Sequence, residues 1–374
     1  MLYFDNNATT KVHPDVIKEM MPFMEDHFGN PDSKYYEVAE QAKSAVNKSR
    51  EKIAKILNCQ NDEIVFTSGA TESNNMIIKG VALQKMKFGK HLITTAIEHS
   101  SVYETFKYLE SIGFEVTYLP VDKKGQIDYS KLESAIRSDT ILISIMWVNN
   151  EIGSINDIKH ISELCRLKKV DFHTDATQAI GKLDIDLSYF LGITYMSFSG
   201  HKIYGPKGIG IAFIRKDDDG LPRKIVKLLH GGEQENNYRA GTLNVPSIVG
   251  IAKALEIVSE SIDDNRKNAI RNEMRAKNFL ISLFGSRLVF NNDFEHIPGV
   301  ISFRVTGINN QILIKELSKY LALSTGSACS NMKPSRVLKE IGLNSRDVSE
   351  SIRLSIPSYY DESDFDATIS ELIE

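Results

Sequence analysis

Cysteine is scarce in this chain: three in 374 residues, Cys59, Cys165 and Cys329, far apart and with no CxxC pair. An odd, scattered count argues against a disulfide framework and against a structural zinc site, so no metal is expected. A reducing, cytoplasmic setting fits best, and there a lone thiol stays free to react. Long apolar runs are missing too; none approaches the roughly 20 residues that span a bilayer. The start, Met1-Leu2-Tyr3-Phe4-Asp5, lacks the basic and apolar stretches of a secretory signal. Neither charge sign dominates, with 45 Lys and Arg against 49 Asp and Glu, a formal net charge of −4. Nothing in that balance favours nucleic acid or an anionic membrane as partner. Low-complexity segments, internal repeats and Pro/Gly/Ser linkers are also lacking.

What is present is an ordinary globular balance, 42% hydrophobic and 25% charged. The length exceeds what one core usually serves, so two domains are expected. From about residue 35 to 250 helical and strand patterns alternate. Val38, Ala42, Ala45, Ser49, Ile53 and Ile56 recur at helical spacing between charged residues. Short apolar runs at 63–67, 91–94, 114–118, 141–146 and 208–214 read as buried strands, with helices at 73–87, 101–112 and 157–168 between them. This alternation implies an α/β fold, a mostly parallel sheet with helices on both faces. Residues 251–284 read as one long helix with Ile270, Met274, Ile281 and Phe284 on one face. Strands near 299–304 and 321–325 and helices near 309–319 and 334–341 suggest a smaller α+β domain.

In open sheets of this class, sites form at the carboxyl ends of the strands. Ser68-Gly69-Ala70-Thr71, Glu98-His99, Asn149-Asn150, Asp175 and Lys202 all fall at such ends. Lys202 lies in Ser199-Gly200-His201-Lys202-Ile203-Tyr204-Gly205-Pro206, between small polar residues and a turn. A Schiff-base lysine needs such a partly desolvated place, where its amine is freed for attack on an aldehyde. Asp175 ends a buried strand and needs a cationic partner. A pyridinium nitrogen is one candidate, which would make a ring into an electron sink; a helix N-cap role, or metal ligation together with His173, are the alternatives. Ser68-Gly69-Ala70-Thr71-Glu72, between strand and helix, offers backbone N–H groups and a hydroxyl to a phosphate, though ordinary capping turns look similar.

These motifs, in this order, resemble the fold-type I pyridoxal-phosphate enzymes of the class V aminotransferase group, and more narrowly the NifS/IscS cysteine desulfurases over nearly the whole chain. The resemblance is carried by Tyr3-Phe4-Asp5-Asn6-Asn7-Ala8-Thr9-Thr10, Phe28-Gly29-Asn30-Pro31, Thr67-Ser68-Gly69-Ala70-Thr71-Glu72-Ser73-Asn74-Asn75 and Val148-Asn149-Asn150-Glu151-Ile152-Gly153. The lysine segment, Arg239-Ala240-Gly241-Thr242 and Gly326-Ser327-Ala328-Cys329 complete it. The resemblance implies pyridoxal 5'-phosphate as cofactor, carried by Lys202, which also moves the substrate's α-proton. It implies that His99 stacks on the ring, Asp175 pairs with the ring nitrogen and Gln178 bonds the phenolic oxygen. Ala70, Thr71, Ser199 and His201 match phosphate positions. Thr242 matches one that reaches the other subunit's cofactor, which implies a homodimer. Asn150 and Arg353 match substrate-carboxylate positions, and a guanidinium fork suits a carboxylate on chemical grounds as well. The large domain is expected over 13–255, and the small one over 1–12 with 256–374.

Cys329 separates the subfamilies. It lies in a loop of small residues, Ser324 to Asn331, where a thiol has the access that sulfur transfer needs. The expected reaction converts L-cysteine to L-alanine and leaves a persulfide on Cys329, for an iron–sulfur scaffold or another acceptor protein. Other class V enzymes, a selenocysteine lyase or an aminotransferase, are the nearest alternatives; a degenerate sulfur-transfer scaffold is a third. Cys165 reads as core and Cys59 as incidental. The sequence departs from the family pattern at Ser33-Lys34-Tyr35-Tyr36, in a shorter stretch after Cys329, at Ile356-Pro357, and in ending without the extension that docks a scaffold. These departures bear on the acceptor and leave the chemistry as expected.

Overall fold

The computed structural model describes residues 1–326 and 334–357. Its strands are β1 (Leu2–Tyr3), β2 (Ile64–Thr67), β3 (His91–Thr95), β4 (Glu115–Leu119), β5 (Thr140–Ser144), β6 (Asp171–Asp175), β7 (Tyr195–Ser199), β8 (Gly210–Ile214), β9 (Leu288–Phe290), β10 (Val300–Val305), β11 (Leu321–Ala322) and β12 (Ser351–Ser355). The helices are α1 (Pro14–Met20), α2 (Pro22–Glu25), α3 (Glu37–Leu57), α4 (Ala70–Lys85), α5 (Ser100–Ser111), α6 (Tyr129–Ala135), α7 (Ile158–Lys168), α8 (Val245–Glu260), α9 (Ile262–Phe284), α10 (Asn310–Leu317), α11 (Arg336–Glu340) and α12 (Ser345–Glu350).

Seven strands form one sheet in the order β2-β8-β7-β6-β5-β3-β4, parallel except for β8, which runs against both of its neighbours. Side chains alternate across a strand, and the sheet divides its residues accordingly. Phe66, Ile93, Ile143, Phe172, Phe198 and Phe213 join one core with α3, α7 and α8. Val65, Leu92, Leu142, Tyr195 and Ala212 join another with α4 and α5. Both faces are therefore covered, as the alternation in the sequence implies. Helix α3 buries Ala39, Ala42, Val46, Ile53 and Leu57, one stripe at helical spacing. It stops at Asn58, which is left-handed (φ 53°) and returns its N–H to Ala54 and Lys55.

The remaining strands make a β12-β10-β9 antiparallel sheet and a β1-β11 parallel pair. They share a separate core of Leu2, Phe4, Ala276, Leu280, Ile301, Phe303, Ile352 and Leu354. The chain start is thus built into the same layer as β12. Among the described residues no helix is long and apolar enough to cross a membrane.

Two expectations change. The long helix over 251–284 is two helices that meet at Ser261, and the first begins earlier, capped by Asn244 with a proline in its first turn. The Ser261 hydroxyl donates to the Ile257 carbonyl, a local bond of the kind that bends helices, and accepts from the Asn265 side-chain amide. On α9 the apolar stripe faces outward: Ile270, Met274 and Ile281 are exposed, whereas Ala269, Ala276 and Leu280 are buried. The second departure is β11, which ends at Ala322 instead of running to 325.

Candidate active site

A cavity of about 630 Å³ opens at the carboxyl ends of the parallel strands. Ten of the twelve residues expected at the site line it: Ala70, Thr71, His99, Asn150, Asp175, Gln178, Ser199, His201, Lys202 and Arg353. Thr242 is exposed and is not among the lining residues. Cys329 lies outside the described residues.

The turn from β2 into α4 supplies the anion-facing end. No side chain caps α4, so its first N–H groups face the cavity unpartnered, as at other helix starts that bind anions. Gly210 permits this turn to sit against the sheet: a Cβ there would lie 2.5 Å from the Cα of Gly69. Arg239 pairs with Glu72 at 2.9 Å and brings the Arg239-Ala240-Gly241-Thr242 segment to the same rim. His201 shares a proton with the Thr9 hydroxyl at 3.2 Å. Burial, with the Lys202 and Lys207 charges adding, pushes its imidazole down to about 4.

Asp175 stands at the end of β6, only 4% exposed. One oxygen accepts from the Asn74 amide at 2.8 Å and the other from the Thr177 N–H at 2.9 Å. It therefore does cap the turn that follows, but both partners are neutral, and no ion pair to it is present among the described residues. A buried carboxylate in that condition favours a cationic group in the cavity. The metal alternative loses its second ligand: His173 is wholly buried with its ring nitrogens on the Ser144 and Ser197 hydroxyls.

Lys202 follows β7 in a short 3-10 turn. Its Nζ donates to the carbonyls of Asn7 at 2.5 Å and Ala8 at 2.6 Å. His99 caps α5, and its Nδ1 accepts from the Ser101 N–H at 3.2 Å. That contact requires an unprotonated Nδ1, so the ring's proton sits on Nε2. Burial lowers its pKa further than the Asp175 charge raises it. Arg353 is 2% exposed. It pairs with Asp5 at 2.6 Å and donates to the carbonyls of Asn150 and Gly326 at 2.9 and 3.1 Å. Its Nε is buried without a partner.

The first dozen residues floor this site. Thr10 bonds the His201 carbonyl through N–H and hydroxyl, and the Tyr204 N–H returns to the Thr10 hydroxyl. Four residues here went unassigned in the sequence: Asn7, Glu98, Lys182 and Arg336. Glu98 is fully buried, accepting from the Thr95 hydroxyl and the Met146 N–H. Burial, with the Asp175 charge adding, pushes its carboxyl up to about 8. Arg336 stacks over the Tyr103 ring at 3.7 Å and donates to the carbonyls of Ala96 and Glu98. A strand-end position marked Glu98 and the N-terminal motif contains Asn7, whereas Lys182, beyond β6, and Arg336, at the start of α11, carry no such local signal.

The family model "Aminotransferase class-V" matches residues 2–368. The chain belongs to the class-V aminotransferases. Cysteine desulfurase IscS of Escherichia coli O139:H28 is 45% identical over 376 residues, covering 98% of this chain and 91% of that one. IscS of Shigella boydii serotype 18 matches to the same extent, which places the chain with the cysteine desulfurases of this family. Among solved structures, a NifS-like protein superposes with a TM-score of 0.91 at 38% identity, over 99% of this chain and 98% of that one. SspA in complex with cysteine gives 0.85 at 37% identity, over 96% and 100%. The fold is that of the family, which uses pyridoxal 5'-phosphate. The cavity fits that group: an unpartnered helix start for a phosphate, an unpaired buried carboxylate for a pyridinium, and an amine for an aldehyde.

Proposed function

We propose that the protein is a pyridoxal-phosphate-dependent cysteine desulfurase that converts L-cysteine to L-alanine and holds the sulfur as a persulfide on Cys329. The convergence of Lys202, Asp175, His99 and Arg353 on one cavity, in a chain 45% identical to IscS, carries this reading. Bound at Lys202, the cofactor supplies an electron sink for the substrate's α-carbon. Asp175 would keep the ring nitrogen protonated, and the α4 start with Ala70, Thr71, Ser199 and His201 would hold the phosphate. Gln178 would donate to the phenolic oxygen, and His99, with its Nε2–H available, would sit beside the ring. Arg353 and Asn150 orient the substrate carboxylate; the guanidinium must share its N–H groups with Asp5 to do so. The Lys202 amine would take the substrate's α-proton and return one to the product carbon. The Cys329 thiolate forms the S–S bond as the substrate's C–S bond breaks, and alanine leaves.

The sulfur then passes to an iron–sulfur scaffold or another acceptor protein. We place the reaction in the reducing cytoplasm, where a lone thiol such as Cys329 stays free of disulfides between turnovers. Residues 13–255 would form the cofactor domain, and 1–12 with 256–374 the small domain. The exposed Thr242, tied to the rim through Arg239, suits a residue that completes the site of a second subunit.

Persulfide trapping tests the reading. After addition of cysteine, an alkylating reagent and mass mapping should locate the extra sulfur on Cys329. Cys329→Ala should release no sulfur while keeping the visible absorption of the bound cofactor. Label on Cys59 or Cys165 would reject it; burial pushes both of those thiols up to about 12.

A further inference from the structure

Lys182 has no role in the chemistry above, yet it belongs to the same hydrogen-bonded cluster. Gly181, at φ 72°, turns the chain after Gln178 so that Lys182 reaches back over it. Its Nζ lies 2.8 Å from Gln178 Oε1 and 3.0 Å from Asn7 Oδ1. Gln178 Nε2 in turn donates to the Asn7 carbonyl at 3.0 Å, the same carbonyl that Lys202 holds. Asn7 Nδ2 donates to the Asn150 carbonyl at 3.1 Å. Asn7 is thus a junction between the lysine, the glutamine and the substrate side of the cavity.

The chemistry of the donors fixes the direction of the Gln178 amide. Lysine only donates, so the atom 2.8 Å from Nζ is favourable only as an oxygen. A main-chain carbonyl only accepts, so the atom facing Asn7 is favourable only as the NH₂. Both ends agree, and one N–H of Gln178, which lines the cavity, is left over for a ligand. A flipped amide would set its NH₂ against Nζ and its oxygen against a carbonyl.

We propose that Lys182 is a positioning residue that locks the Gln178 amide with its N–H towards the cofactor's phenolic oxygen. This rests on the reading of the cavity as a pyridoxal-phosphate site. The charged groups around Lys182 are Lys202, Arg353 with its partner Asp5, and Arg266, which lines a small neighbouring cavity together with Lys182, Lys202 and Tyr204. No carboxylate pairs with Lys182 among the described residues. Burial, with the Lys202 and Arg353 charges behind it, pushes its amine down to about 7. The ammonium has three N–H groups and the neutral amine two, enough in either state for Gln178 Oε1 and Asn7 Oδ1, and the Asn7 carbonyl fixes the other end of the amide in both.

The test is a visible-absorption pH titration of the purified holoenzyme. Without Lys182 the amide keeps only its bond to the Asn7 carbonyl and swings out of line, the donor to the phenolic oxygen is weakened, and the chromophore binds its proton more tightly. Lys182→Met should raise the apparent pKa of the chromophore by about one unit and weaken cofactor retention about tenfold. Lys182→Arg, which restores a donor, should recover most of both. In a Gln178→Ala background, Lys182→Met should add nothing further. An unchanged titration in Lys182→Met, or an equal shift in the Gln178→Ala background, overturns the proposal. If the methionine variant does not fold, Lys182→Leu is scored in the same way, and a chromophore pKa that stays at the wild-type value in any folded charge-removing variant overturns it. Failure of the cofactor reading looks different: wild-type protein would show no visible band, and borohydride would attach no cofactor to Lys202.

Discussion

Buried ionisable groups decide how this site works one residue at a time, and Glu98 is the clearest case. Its carboxyl is wholly enclosed beside Asp175, with one oxygen bonded and the other without a partner. Its folded pKa of about 8 lies above the ordinary value of 4.5, so the folded protein keeps a proton that the unfolded chain gives up between those two values. Stability from this group is therefore full below pH 4.5 and lost as the pH rises through 8. Glu98→Gln, which mimics the neutral form, should melt above wild type at pH 8, with the margin shrinking as the pH approaches 5. Thermal melts across that range check it; a margin that does not vary with pH would mean the carboxylate is charged. Lys202 and Asp175 were legible at this scale because strand ends and small-residue turns are written in the local sequence. Lys182 and Asn7 were not, because their importance comes from partners 175 positions apart.

Among the elements, the strand–helix alternation translated well: five of the seven strands of the large sheet overlap apolar runs visible in the sequence, Asp175 and Lys202 mark the ends of the other two, and the cores follow the alternation. The outward stripe on α9 shows where periodicity stops being informative. A 3.6-residue pattern gives the existence of an apolar face but not the direction in which it points. The segment Glu235-Asn236-Asn237 was equally hidden. All three residues are left-handed, with φ of 53°, 52° and 67°, a conformation that costs about 1–2 kcal/mol per non-glycine residue. What holds it is Glu235, buried under a two-point contact with Arg50 and accepting the Phe66 N–H at 2.7 Å. Glu235→Ala leaves the half-buried Arg50 without its carboxylate, though still on the Ile64 carbonyl and the Phe66 ring, and frees the strained turn. It should cost about 3–5 kcal/mol in chemical denaturation and loosen the Arg239–Thr242 segment that follows. A loss below about 1 kcal/mol would show that the surrounding packing alone holds the turn.

At the scale of the whole molecule, the strand–helix alternation gave the α/β class and length pointed to more than one core; the described residues form four buried clusters, one of them around the smaller sheet. The proposed homodimer belongs here as well. Thr242 is exposed and does not line its own chain's cavity, so in the proposed dimer it would complete the partner's site. Sedimentation should give twice the 42.0 kDa of a single chain. Mixed dimers of Lys202→Ala with Thr242→Ala subunits should regain activity in one of their two sites; a monomeric, fully active enzyme would refute the arrangement. The sequence could signal this only through resemblance, since an interface leaves no periodic trace.

The floor beneath Lys202 has a consequence for how the enzyme is made. Asn7 and Ala8 hold the lysine, yet they are themselves fixed by β12: the Asn7 N–H donates to the Ser355 hydroxyl, and Asp5 pairs with Arg353. Those contacts join positions 348 residues apart. A nascent chain can complete its large sheet while the first residues still await their anchor. Capture of the cofactor in its working geometry is therefore among the last events of biosynthesis, after the ribosome has released β12, and a truncated translation product would carry the lysine without the site.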